Sequence, residues 1–216
     1  MDIAIALYER FTALDAIGPY EVLSRLPGAK VSFLAADAGP VRTDNGMLTL
    51  LAEGTLQEST RPDIVLVPGG PGEVVARAGG PMLEWLREVD RTSTWTTSVC
   101  TGSLILAAAG LLAGKRATTH WLAFDELRRL GATPVQERVV IDGKLVTAAG
   151  VSAGIDMALT LAAAVAGDTV AQAIQLGIEY DPEPPFDAGS PAKASPEIVE
   201  LLRSVSRFES EPMSAT

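Results

Sequence analysis

The sequence holds one cysteine and one histidine, so any reaction it performs must rest on few polar groups. Cys100 heads the turn Cys100-Thr101-Gly102, directly after the strand Trp95-Thr96-Thr97-Ser98-Val99 and before the helix-like Ser103 to Leu112. A strand, a tight turn and a helix in that order put the thiol at the carboxyl end of a strand, where open α/β sheets hold ligands. A helix N-terminus also favours negative charge and lowers a thiol's pKa below its free value of about 8.5, which predicts a thiolate nucleophile. Free cysteine is equally at home as a small core hydrophobe, and it is the strand–turn–helix setting that points to chemistry.

Asp15 lies in Leu14-Asp15-Ala16-Ile17-Gly18-Pro19-Tyr20, just past the first apolar run and ahead of a Pro-initiated helix. A helix cap would account for it. If it faces Cys100 across the sheet edge instead, burial and a nearby thiolate raise its pKa. It then becomes an acid that gives and retakes a proton, titrating with the thiol as a coupled pair. Gly69 and Gly70, in Pro68-Gly69-Gly70-Pro71-Gly72, either form a plain tight turn or turn backbone N–H groups toward the same edge. In the second case Gly70 and Thr101 are the expected donors to developing negative charge. Thr118-Thr119-His120-Trp121 sets the only histidine near a helix start that the threonines can cap. A structural role is expected for His120, and Trp121 and Phe124 read as core or pocket wall.

These groups need a scaffold to bring them together. Ile3-Ala4-Ile5-Ala6-Leu7 is apolar without alternation, as suits a strand covered on both faces. A short helix over Pro19 to Leu26 and a second apolar run, Ala29 to Ala36, complete a βαβ unit. Asn45-Gly46, between residues 41–43 and 47–50, predicts a two-residue hairpin turn. Asp63 to Val67 is another buried strand, and Met82 to Arg91 a helix. Past the elbow come an amphipathic helix over Thr118 to Leu130 and a hairpin from Val139 to Thr147 on Asp142-Gly143. Two helices, Ser152 to Ala166 and Val170 to Glu179, follow. The Pro-rich stretch from Tyr180 predicts an extended arm over the surface, then a final helix over Pro196 to Phe208, with Glu209 to Thr216 frayed. Alternation of strand and helix without a break in composition predicts one α/β domain over residues 1–216 with a mainly parallel sheet.

Composition narrows the function. With 47% hydrophobic and 20% charged residues in 216, the chain can bury a substantial core, and disorder is not expected. Seventeen Lys and Arg against 27 Asp and Glu leave a net charge of −10, which removes the attraction that drives nucleic-acid binding. A lone cysteine suits a reducing compartment, and the start of the chain lacks the pattern of a signal peptide, so the cytoplasm is expected. The apolar stretches Ser103 to Ala113 and Met157 to Ala166 are shorter than the roughly 18 residues of a membrane span. One histidine makes a zinc site unexpected.

Taken together, Asp15, Pro68-Gly69-Gly70, Ser98-Val99-Cys100-Thr101-Gly102-Ser103, Gly114 to Trp121 and Glu179-Tyr180-Asp181-Pro182 resemble the ThiJ/PfpI superfamily and, within it, the isonitrile (isocyanide) hydratases. The likeness runs through Pro184-Pro185-Phe186-Asp187-Ala188-Gly189-Ser190-Pro191, the more subfamily-specific part. The resemblance implies a flavodoxin-like three-layer sandwich with helices on both faces of the sheet, a nucleophile elbow and a homodimer. It implies Cys100, Asp15 and Thr101 as catalytic residues, Gly70 and Thr101 as backbone donors, and Gly69, His120, Trp121 and Val151 about the pocket. The implied reaction is cofactor-free and metal-free hydration of an isocyanide to an N-substituted formamide through a Cys thioimidate. Thr101 stands where protease-like members carry His, so a Cys–His dyad for peptide cleavage is incomplete. A glyoxalase or deglycase acting on 2-oxoaldehydes, and a ligand- or redox-sensing module, are the alternatives within the superfamily.

Overall fold

The computed structural model describes residues 1–208; Glu209 to Thr216, expected to fray, lie outside the described residues. Along the chain the strands are β1 (Asp2–Ala6), β2 (Lys30–Ala35), β3 (Gly39–Arg42), β4 (Thr49–Ala52), β5 (Gly54–Thr55) and β6 (Ile64–Val67). They continue as β7 (Trp95–Val99), β8 (Arg116–Ala117), β9 (Thr133–Pro134), β10 (Val139–Asp142) and β11 (Leu145–Ala148). The helices are α1 (Ala13–Leu23), α2 (Glu73–Ala76), α3 (Pro81–Val89), α4 (Gly102–Ala108), α5 (Phe124–Arg129), α6 (Ala153–Ala166), α7 (Asp168–Gly177) and α8 (Pro196–Ser204).

Seven strands form the central sheet in the order β10-β11-β7-β6-β1-β2-β5, all parallel except β10, which returns antiparallel to β11. Strands β11, β7, β6 and β1 are buried over most of their length, β2 only at Leu34 and Ala35, and alternate side chains of the sheet feed two separate cores. Ile3, Ile5, Leu7, Ile64 and Leu66 meet α1, α6 and α7 on one face. Ala4, Ala6, Val65 and Val67 meet α3, α4 and α5 on the other. Fully burying each branched aliphatic contributes about 1.5–3 kcal/mol, so this two-sided burial is what holds the three layers together. From β1 the chain passes first to β2 on one side and later to β6 on the other. The loops after β1 and β6 therefore diverge, and a crevice opens at their carboxyl ends. Asp15 follows β1, Gly69 and Gly70 follow β6, and Cys100 follows β7, so all three functional segments open on that edge.

Four expected elements differ. Helix α1 starts at Ala13 and not at Pro19, so Pro19 sits inside it. Proline has no N–H for the Asp15 carbonyl four residues back. Packing outweighs that loss: a Cβ on Gly18 would lie 3.1 Å from the Ile155 side chain, and one on Gly154 would lie 3.1 Å from the Pro19 ring, so each helix seats a side chain on a glycine of the other. The segment from Thr118 to Leu130 is not one helix. Thr118 and Thr119 lie outside any helix or strand, a 3-10 turn covers Trp121–Ala123, and α5 starts at Phe124. The Thr147 hydroxyl holds Thr118 N–H at 2.9 Å, and that bond keeps the threonines out of a cap.

The β3–β4 ribbon closes with Arg42 opposite Thr49, a longer loop than a two-residue turn. Gly46 alone takes the positive φ there, while the Asn45 side chain accepts from Met47 N–H at 2.9 Å. The final helix ends at Ser204, and no residue of α8 is buried. The antiparallel hairpin on Asp142-Gly143 is as expected, with Asp142 opposite Leu145.

Gly102, the first residue of α4, sits where a Cβ would collide with the Val67 and Pro68 carbonyls. Replacing Gly102 by Ala is expected to cost about 2–3 kcal/mol through overpacking against backbone that cannot yield. Urea unfolding measures it, and an unchanged midpoint would show that the end of β6 has room.

Candidate active site

Cys100 is the residue between β7 and the helix turn, and its φ of 56° puts it in the left-handed region that β-carbon sterics disfavour. The surroundings hold it there. Its N–H donates to Ala148 O at 3.0 Å and Ala149 O at 3.1 Å, and its carbonyl accepts from the Ser103 and Thr119 hydroxyls, each at 3.1 Å. Neither hydroxyl carries a sign of this role in the sequence, because Thr119 reaches the elbow only once β11 has drawn the Thr118 backbone alongside. Strain kept in place by such bonding is a common mark of a functional residue.

Asp15 is the third residue of α1 and is completely buried. It does not cap its helix. One carboxylate oxygen, Oδ2, accepts Gly69 N–H at 2.9 Å, whereas Oδ1 has no hydrogen-bond partner among the described residues. The contact is close enough that a Cβ on Gly69 would lie 2.9 Å from Oδ2 and 2.8 Å from Thr101 Oγ1, so glycine is required where loop, carboxyl and elbow converge. Burial pushes the Asp15 carboxyl up to about 7 and the Asp44 charge adds to this, while Gly69 N–H and the Cys100 thiol pull it down. The thiol thus acts on the carboxyl without closing a well-aligned hydrogen bond to Oδ1.

The sulfur departs from expectation. Burial, then the Asp15 charge, raises the Cys100 pKa; Thr101 N–H, Val151 N–H and the Thr101 hydroxyl oppose the shift without cancelling it. A helix of seven residues and two N–H groups does not offset the loss of solvent, so Cys100 rests as a thiol beside a carboxyl poised near neutrality. The donors also differ from those expected. Gly70 N–H is committed to Thr101 Oγ1 at 2.9 Å and Gly69 N–H to Asp15, so the N–H groups that favour a negative sulfur are those of Thr101 and Val151. Val151 has a positive φ of 24°, an unusual backbone for a β-branched residue.

His120 makes its hydrogen bond with the neighbouring backbone, accepting Leu122 N–H on Nδ1 at 3.3 Å. Its half-buried ring rests against Gly150, next to Val151, and 6.0 Å from the Trp121 ring. Burial and the nearby Arg207 charge lower its pKa, so it is neutral around pH 7. A cavity of about 820 Å³ lies beside the loop, walled in part by Tyr8, Val41, Pro71, Met82 and Arg207; Cys100, Asp15 and Thr101 are not on its wall. Tyr8 and Arg207 belong both to that wall and to the groups on which the Cys100 charge acts. The sequence marks neither, since Tyr8 looks like the end of an apolar strand and Arg207 stands far along the chain. Among the described residues no three His, Cys, Asp or Glu side chains gather as a metal site, and no helix is long and apolar enough to cross a membrane.

A mainly parallel sandwich with a cysteine elbow at its switch point defines a class, and comparison with known proteins agrees. The model of the DJ-1/PfpI family matches residues 1–164, and the chain belongs to that family. It is 45% identical over 203 residues to the isonitrile hydratase of Pseudomonas putida, covering 94% of this chain and 89% of that protein. The HTH-type transcriptional regulator CdhR of Pseudomonas aeruginosa is 37% identical over 73% of this chain but only 48% of its own length. Among solved structures, a ThiJ/PfpI family protein from Pseudomonas syringae superposes with a TM-score of 0.91 at 37% identity, over 94% of this chain and 84% of that one.

The Asp15 environment makes stability depend on pH. The unfolded chain ionises this carboxyl near 3.8 and the folded protein near 7, so the folded state keeps the proton longer. Its stabilising contribution is complete below pH 3.8 and is lost as pH rises through about 7. Asp15→Asn keeps an acceptor for Gly69 N–H and is expected to flatten this slope, raising the melting temperature over the parent by several degrees more at pH 8 than at pH 4. Parallel melting curves for the two proteins across that range would refute the assignment.

Proposed function

We propose that the chain hydrates an isocyanide, R–N≡C, to the N-substituted formamide, with Cys100 as nucleophile and Asp15 as proton carrier. The observation that carries this is a thiol on a strained elbow beside a buried carboxyl whose pKa is pushed up to about 7. The likeness to isonitrile hydratase over 94% of the chain supports the substrate class. The terminal carbon of an isocyanide must gain a nucleophile and a proton at one point, and a thiol–carboxyl pair supplies both.

In the first stage ionised Asp15 takes the thiol proton as sulfur bonds to the terminal carbon. The developing lone pair on that carbon then takes the proton back from Asp15, leaving the thioimidate Cys–S–CH=N–R. Thr101 N–H and Val151 N–H steady the sulfur's negative charge while the proton is away. In the second stage Asp15 accepts a proton from water as the oxygen adds to the thioimidate carbon and passes that proton to the nitrogen. The C–S bond then breaks as the new hydroxyl becomes the carbonyl, its proton returns through Asp15 to the sulfur, and R–NH–CHO leaves. No oxidant or external acid is consumed.

Thr101 beside the nucleophile, and a His120 whose Nδ1 is taken by the backbone, disfavour a Cys–His peptidase. The reading includes a homodimer, supported by the exposed Ile198, Leu201 and Leu202 on α8 and Val205 just after it, and a cytoplasmic setting that keeps the thiol reduced. A dimer mass by light scattering in solution is the expected result for the former.

Protein quenched during turnover should carry one substrate mass on the peptide containing Cys100. Cys100→Ala should reduce formamide production to background, with Thr101→Ala milder because its backbone donor remains. Rapid lactate formation from methylglyoxal with isocyanides left unreacted would overturn the substrate class, and full turnover by Cys100→Ala would overturn the nucleophile.

A further inference from the structure

The C-terminal segment returns to the elbow at one point. After α8 the chain brings Arg207 against the loop that follows β6, 137 residues from its contact there: Nη2 donates to Gly70 O at 3.3 Å and pairs with Glu73 Oε1 at 3.2 Å. The guanidinium also lies 4.6 Å from the ring centre of Phe208, which covers it from the other side. Gly70 is the peptide whose N–H holds Thr101 Oγ1, and its carbonyl also accepts Glu73 N–H at 3.1 Å and the Thr101 hydroxyl at 3.4 Å.

Glu73 is the reason a cation is needed there. It is completely buried, and neither of its oxygens has a conventional hydrogen-bond partner among the described residues. Its charge is met by Arg77 Nε at 2.7 Å and by Arg207. Arg77 is shared with Glu126, so it balances Glu73 only in part. Asp15 from α1 and Tyr8, two residues past β1, share charge interactions with the sulfur, Glu73 on α2 acts on Tyr8 and Arg207, His120 is neutral and Asp44 acts on Asp15. Arg207 is the cation that acts on Tyr8, and Glu73, Tyr8 and Cys100 all act on Arg207 in turn. A negative sulfur and Glu73 thus draw on the same cation, and without Arg207 both charges would stand unbalanced in a poorly solvated region, where charge interactions are strong.

We infer that Arg207 is a positioning residue for the Cys100–Asp15 pair: by neutralising the buried Glu73 and bracing the Gly70 peptide, it lets the sulfur give up its proton. The inference rests on Cys100 being the nucleophile, though its test requires no isocyanide. Cys100 is the only cysteine, so the rate of alkylation by iodoacetamide as a function of pH reports this sulfur alone. Arg207 is one-third exposed and Arg77 still meets Glu73 when it is replaced, so the expected result is a lower melting temperature with the protein folded at the assay temperature, recorded alongside.

In Arg207→Met the alkylation rate at pH 7 should fall about tenfold, the equivalent of one pKa unit, with the profile displaced to higher pH. Arg207→Lys should recover most of the loss. Arg207→Gln, which can still donate to Gly70 O, should behave like Met. Adding Glu73→Gln to Arg207→Met should restore the rate. A Met variant whose profile superimposes on the parent's overturns the inference, as does a Gln variant with parental reactivity, since a hydrogen bond alone would then suffice. A faster rate in Arg207→Met, the signature of mere loosening, overturns it too. Loss of isocyanide turnover in the parent with the alkylation shifts intact would fail the hydratase reading and leave this one standing.

Discussion

The site is governed by the removal of water from two acidic groups placed against each other. A carboxyl with one oxygen on a backbone N–H and the other without a partner, next to a buried thiol, is a costly arrangement. The protein tolerates it by letting protonation adjust. The carboxyl titrates near neutrality, the thiol keeps its proton at rest, and the two behave as one unit with a proton between them. That is a different device from a resident thiolate stabilised by a helix end, and it suits a reaction in which the attacked carbon must itself be protonated.

The rest of the fold is organised to hold this arrangement. Strands β1, β6 and β7 lie side by side, and their exits place Asp15, Gly69 and Cys100 at one crevice. Small residues set the spacing. Gly69 admits the carboxyl and the Thr101 hydroxyl to the same spot, and Gly102 lets the elbow turn over the end of β6. Gly154 lets α6 approach both Val99 and Pro19, tying the helix that carries Asp15 to the strand that carries Cys100. Local preferences give way here, as with a proline inside α1 and a cysteine at positive φ, because two-sided burial of the sheet supplies far more than these concessions remove.

Much of this is legible in the residues for definite reasons. Buried parallel strands are written as uninterrupted apolar runs, so β1 and β6 stand out, β7 shows by its β-branched residues ahead of the Cys100 turn, and Asp-Gly marks the β10–β11 turn. The elbow is legible because a buried strand that runs straight into a cysteine and a Gly-led helix must turn sharply at the sulfur. Neighbours in sequence mislead elsewhere. Thr118 and Thr119 look like helix caps, yet Thr147 and Cys100 claim them from other strands. Gly70 looks like a free donor, yet Thr101 occupies its N–H. Tyr8, Glu73, Val151 and Arg207 carry no local signature of a site, since each acquires its role by packing against something distant.

By itself, then, the sequence determined the class of fold, the loops that meet at its edge, and the sulfur and carboxyl placed there, because burial patterns and turn residues act over a few positions. Only the tertiary structure decided where the proton rests, which N–H groups attend the sulfur, and which cation offsets the buried Glu73. The physical reason is that desolvation and charge are summed over everything within several ångströms, and in a folded chain most of that surrounding comes from residues far apart in the sequence.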